Sequence, residues 1–132
     1  MNCRVASLAL LIALLGGCAA YDGLGLQADS ARVEELERRM GLPAIRWKEA
    51  DGGQTLVYPR GPMGFHTFFV RSDALGNVIG RENVLDMKHF SRIQAGMTPD
   101  EVVRQLGPSV PEWTVYFKAR DELVWEWRYC DD

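Results

Sequence analysis

The hydrophobic positions of this chain change period several times, and each change predicts an element. From about Ser30, Val33, Leu36 and Met40 recur on one helical face, while Glu34, Glu35, Glu37, Arg38 and Arg39 fall elsewhere. Asp29 or Ser30 can cap the start of this helix, and Gly41 and Pro43 stop it. Strand signals follow at residues 44–48, 54–58, 65–71 and 77–80. The turns between them are 51–53, 60–64 and 73–76, each containing glycine. Residues 84–94, with Leu85, His89, Phe90 and Ile93, read as a short helix.

The strongest local signal comes next. Thr98-Pro99-Asp100-Glu101 combines a hydroxyl cap, a proline at the first helical position and acidic residues on the positive end of the helix dipole. Glu101 can reach back to the Thr98 amide, and Met97 can staple against Val102. Gly107 and Pro108 end the helix. Beyond it, Trp113, Val115 and Phe117 alternate with Thr114, Tyr116 and Lys118. Leu123, Trp125, Trp127 and Tyr129 then alternate with Val124, Glu126, Arg128 and Cys130. Such alternation predicts antiparallel strands with one face buried.

These elements repeat. A shift of 66 residues places Glu35 on Glu101, Leu36 on Val102, Arg38 on Arg104, Met40 on Leu106, Gly41 on Gly107 and Trp47 on Trp113. One further residue of shift places Leu56-Val57-Tyr58 on Leu123-Val124-Trp125. The fold class expected is therefore α+β, as two tandem units of helix plus antiparallel sheet. The division is a leader at 1–17, a tether at 18–28, a first unit at 29–83 and a second at 84–132. The second unit reads as truncated, because the counterparts of strands 65–71 and 77–80 would begin beyond residue 132. That leaves the strand carrying Trp125, Trp127 and Tyr129 as an expected open edge and a candidate partner-binding surface. The tryptophans sit at strand spacing and are read first as core, then as a binding surface.

The start of the chain changes the picture from fold to location. Arg4 followed by the apolar run 5–15 fits a cleaved secretory signal and is too short to span a bilayer. It ends in Leu15-Gly16-Gly17-Cys18, which resembles the lipobox of bacterial lipoproteins, where cleavage falls before the cysteine and its thiol is acylated. The alternative is an ordinary signal with an incidental cysteine. Lipidation at Cys18 implies a stable membrane anchor, and Ala19 after it favours the outer membrane by analogy with Gram-negative sorting. Cys3 would leave with the leader, so Cys130 alone remains and no intramolecular disulfide can form. Cys130 is expected as a half-buried strand residue, with an intermolecular bridge left open.

Removing residues 1–17 leaves 115 of 132 residues and takes away the charge of Arg4, moving the formal net charge from −3 to −4. This acidic balance argues against nucleic acid as a partner. The sequence carries no Gly-x-Ser-x-Gly, His-Glu-x-x-His, Cys-x-x-Cys or P-loop pattern. His66 and His89 lack a second ligand at metal spacing, and Asp86-x-x-His89 alone is a weak pair. Both read as structural or solvent-exposed imidazoles. No catalytic residue, metal or cofactor is expected.

The second unit resembles the BamE (SmpA/OmlA) family of small outer-membrane lipoproteins. The matching residues are Ile93-Gln94-Ala95-Gly96-Met97-Thr98, then Val102, Leu106-Gly107, and Trp125 or Trp127 with Tyr129, together with Cys18. The resemblance implies helices packed on an antiparallel sheet, in a tandem form similar to the β-lactamase-inhibitor-protein-like architecture. It also implies a non-enzymatic accessory factor on the periplasmic face of the outer membrane. Its partners would be envelope proteins, among them the β-barrel assembly machinery. An inhibitor-like or ligand-binding periplasmic module unrelated to barrel assembly is the alternative.

Overall fold

The computed structural model describes residues 31–130, so Cys18, the leader, the tether and the caps proposed at Asp29 and Ser30 lie outside the described residues. The fold is α+β. Helix α1 spans Val33–Met40 and is followed by strands β1 (Ile45–Lys48), β2 (Gln54–Pro59), β3 (Thr67–Ser72) and β4 (Val78–Asn83). Two helices follow, α2 (Met87–Phe90) and α3 (Pro99–Leu106), then a 3-10 turn at Pro111–Trp113 and strands β5 (Val115–Phe117) and β6 (Glu122–Val124). Strands β1–β4 form one antiparallel meander in chain order, and β5–β6 form a separate hairpin.

The first helix begins at Val33, the first residue of its apolar pattern, and later than the start expected at about Ser30. Arg32 occupies the N-cap position in an extended conformation with no side-chain cap, and its guanidinium instead donates to the Leu75 carbonyl at 2.9 Å. Acidic Glu34 and Glu35 sit in the first turn and Arg38 and Arg39 in the last, as the helix dipole favours. Glu35 accepts from both arginines. The hydrogen bond from Arg38 first, then that from Arg39 and the arginine charges, hold its carboxyl below the ordinary value of 4.5. Helix α2 is four residues, shorter than the helix predicted across 84–94.

Two of the three turns that the sequence marked are closed by an aspartate, the first by Asp51, which accepts from the Gly53 amide at 2.8 Å. In the β3–β4 turn, the Asp73 carboxylate accepts from the Leu75 amide at 2.9 Å and the Asn77 amide at 2.8 Å. Hydrogen bonds from Asn77, side chain then backbone, hold Asp73 below its ordinary 3.8.

The sheet is covered on both faces. Leu56, Tyr58, Phe68, Val70 and Val78 point to one face and pack with Val33 and Leu36 of α1. Arg46 lies on that same face and pairs with Glu37 of α1. The Tyr58 hydroxyl donates to the Gly41 carbonyl at 3.2 Å, and burial first of all pushes it up to about 12. The opposite face carries Val57, Phe69 and Val84, with Ile45 and Trp47 packed against them. The C-terminal end of α3 closes it: Leu106 is 2% exposed, and a methyl group at Gly107 would lie 2.6 Å from the Thr67 side chain and 3.4 Å from that of Val57. Double coverage explains why Leu56, Val57 and Tyr58 are consecutive and all buried, rather than alternating.

The two eight-residue helices correspond at the constant offset read from the sequence, Val33 to Pro99 and Met40 to Leu106. Each ends at a glycine of positive φ whose N–H donates to the carbonyl four residues back. The strand segments correspond less well. Trp47 lies on β1, whereas Trp113 lies in the 3-10 turn.

Candidate functional site

Two features after α3 differ from the sequence pattern. The alternation across 113–118 and 123–130 predicts two strands with a buried face, but β5 and β6 have three residues each and all six are exposed. Residues 125–130 are outside regular structure, and Cys130 is exposed rather than half-buried in a strand. The reason lies in what the aromatic side chains find. Trp127 is half-buried and its Nε1–H donates to the Gly107 carbonyl at 3.1 Å, satisfying a carbonyl at the end of α3. The Tyr129 hydroxyl lies 3.2 Å from the Met87 sulfur, and its ring lies 5.1 Å from that of Phe90 on α2. Arg128 stacks on Trp113 at 4.0 Å. The last residues thus strap the chain to helix ends instead of extending a sheet.

The hairpin itself is built by its turn. The amide of Arg120 donates to the Phe117 carbonyl at 3.1 Å, and Asp121 takes a positive φ of 53°. The Tyr116 hydroxyl donates to the Asp121 carboxylate at 2.5 Å, and this bond, ahead of burial, raises the phenol above its ordinary value. Across the ladder Val115 pairs with Val124, Tyr116 with Leu123 and Phe117 with Glu122. Val115, Tyr116, Phe117, Leu123 and Val124 are all between 42% and 58% exposed. One face of the hairpin, carrying Tyr116 and Leu123, looks into an open groove of about 550 Å³ completed by Trp125, by Val103 of α3 and by Pro108 and Pro111. The outer edges of β5 and β6 pair with no third strand among the described residues.

The predicted candidates are therefore divided. Trp125 contributes to the groove and meets Trp127 edge-on at 6.0 Å. Trp127 and Tyr129 serve as anchors between the strap and the helices. Tyr116, Phe117 and Val124 were not singled out by the sequence pattern. Their signal was present: apolar residues stand at consecutive positions in strands too short to bury both faces.

The histidines also separate. His66 stacks on Phe68 with centroids 5.7 Å apart. His89 is 4% exposed, and its Nδ1 lies 2.6 Å from the Asp86 carboxylate, which also accepts from the His89 amide at 2.8 Å. Burial raises the Asp86 carboxyl, but its bonds to the His89 side chain and amide outweigh this and leave it below the ordinary 3.8. Among the described residues there is no group of three side chains able to hold a metal and no helix long and apolar enough to cross a membrane. No protein-family model, no curated protein and no solved structure matches the chain.

Proposed function

We propose that this chain is a lipid-anchored protein of the bacterial cell envelope that works by binding other proteins, as its resemblance to BamE-like lipoproteins implies. Cys18 is the acylated residue, and the protein sits on the periplasmic face of the outer membrane as an accessory factor in outer-membrane protein assembly or envelope integrity. It acts by docking, without turnover or cofactor. The observation that carries the protein-binding part is the β5–β6 hairpin, whose exposed apolar residues line both of its faces and whose outer edges pair with no strand among the described residues. An isolated two-strand hairpin is marginal in water. A partner strand added to its edge supplies main-chain hydrogen bonds, and alternate side chains set selectivity.

The docking surface is placed at Tyr116, Leu123 and Val124, ahead of Trp127. A photo-crosslinker at residue 116 or 123 of the full chain in cells should capture an outer-membrane protein, whereas one at Lys48 on β1 should not. Leu123→Glu should abolish co-purification while abundance stays constant. Equal capture from all three positions, or full co-purification by Leu123→Glu, would remove the hairpin from this role. The anchor is tested separately: mass spectrometry of the mature protein should find diacylglyceryl-modified Cys18, and an unmodified terminus at Ala19 or Ala20 would refute it.

A further inference from the structure

The second face of the large sheet is apolar only at one end. Toward Thr55 and Arg71 it opens into a pocket of about 320 Å³, within the range of small-molecule sites. Thr55 and Phe69 come from β2 and β3, Trp47 from β1 and Glu82 from β4, while His89 and Arg92 arrive from α2 and the residues after it, and Arg104 from α3.

Three arginines line it, Arg71, Arg92 and Arg104. Arg71 pairs with Glu82 at 3.3 Å, and Arg104 pairs with Glu49 at 3.2 Å while lying 4.4 Å over the Trp47 ring. Each pairing engages part of a five-donor fork and leaves the remaining N–H groups free to turn to a ligand. Arg92 differs from both: it is exposed, and its side chain makes no hydrogen bond or ion pair with any described residue. His89 and Asp86 satisfy one another, and the remaining ring nitrogen of His89 stands 3.7 Å from Glu82, too far to engage it by a hydrogen bond. The two pocket glutamates are thus each matched by an arginine, and Arg92 is the unmatched charge. The Trp47 ring, with Arg104 over one face and an edge contact to Phe69 at 5.5 Å, also lines the pocket.

We propose that this pocket binds a small ligand bearing an oxyanion, either a carboxylate or a phosphate. Arg92 is its principal partner, Arg104 and Arg71 supply further donors, and the organic part lies against Trp47. Paired forks of guanidinium suit planar or tetrahedral oxyanions bidentately. The proposal is independent of the hairpin and of the membrane anchor.

The test is an NMR titration of the full chain in detergent with inorganic phosphate and, separately, with benzoate. The readouts are the indole N–H of Trp47 and the side-chain N–H of Arg92. Saturable shifts at both are expected with at least one probe. Arg92→Gln should weaken that binding about tenfold or more, the loss of roughly one charge-assisted hydrogen bond. Because the Arg92 side chain has no partner among the described residues, this variant should keep the native spectrum elsewhere. Lys88→Gln, outside the pocket, should bind as the parent does. Tighter binding of benzoate assigns a carboxylate with an aromatic body, and tighter binding of phosphate assigns a phosphoryl group. Absence of saturable shifts with both probes, or equal affinity of the parent and Arg92→Gln, would overturn the proposal.

Discussion

At the scale of single residues, the two helix-ending glycines separate conformational cost from steric cost. Gly41 and Gly107 share nearly the same backbone, with φ of 83° and 73° and ψ near 180°. That region is almost reserved for glycine and costs any other residue of order 1–3 kcal/mol. A methyl group at Gly41 meets nothing within 4 Å, whereas at Gly107 it meets Thr67 at 2.6 Å. Urea unfolding should therefore show Gly41→Ala losing only the backbone term and Gly107→Ala losing clearly more, with Leu106 pushed off the sheet. Thr98 and Glu101 give a second prediction. Their capping box is closed in both directions: the Thr98 amide donates to the Glu101 carboxylate at 2.7 Å, and the Glu101 amide to the Thr98 hydroxyl at 3.3 Å. Thr98→Ala should cost about 1 kcal/mol, and adding Glu101→Gln should cost less than the sum of the two. The Glu101 carboxyl is held below its ordinary 4.5, by the Thr98 amide first and then its hydroxyl. A depressed carboxylate stabilises the fold above its unfolded value and loses that contribution as pH falls through the lower folded value. The stability gap between the parent and Glu101→Gln should therefore close as pH drops below 4.5. A gap that widens in acid would show that folding raises the Glu101 carboxyl instead of lowering it.

At the scale of elements, what the sequence expresses locally is what could be read from it. The α3 cap, the glycine stops and the four strands of the large sheet depend on neighbours a few residues away, so their signals survive in one dimension. The alternation at Leu123, Trp125, Trp127 and Tyr129 failed for the opposite reason. Period-2 spacing describes where side chains point if the segment is paired, but it does not supply the pairing. Here Trp127 finds a helix-end carbonyl and Tyr129 finds Phe90, and those contacts decide the path. Trp127→Phe should accordingly lower stability, through loss of a part-buried hydrogen bond worth about 1 kcal/mol, with co-purification of partners unchanged per molecule. Measuring melting temperature and partner recovery on the same samples checks both halves. Partner loss without any change in melting would return Trp127 to the docking surface.

At the scale of the whole molecule, the polar pocket was invisible in the sequence because its walls come from six elements spread from Trp47 to Gln105. The run of apolar residues in β2 and β3 did carry a sign that both faces of the sheet are covered, yet nothing in it named α3 as the second cover. That cover has a consequence for the order in which the chain folds. Strands β1–β4 form a meander joined by turns, so all their pairings are close in sequence and can form early. The layer of Val57, Phe69 and Val84 stays open to water until residues 99–107 arrive to shut it. In pulse-labelled hydrogen exchange, amides of β2 and β3 should gain protection before the Gly107 amide, and simultaneous protection would indicate a single step. During synthesis the unfinished chain therefore presents a greasy half-sandwich, the kind of surface that holding chaperones grip, until α3 arrives to cover it.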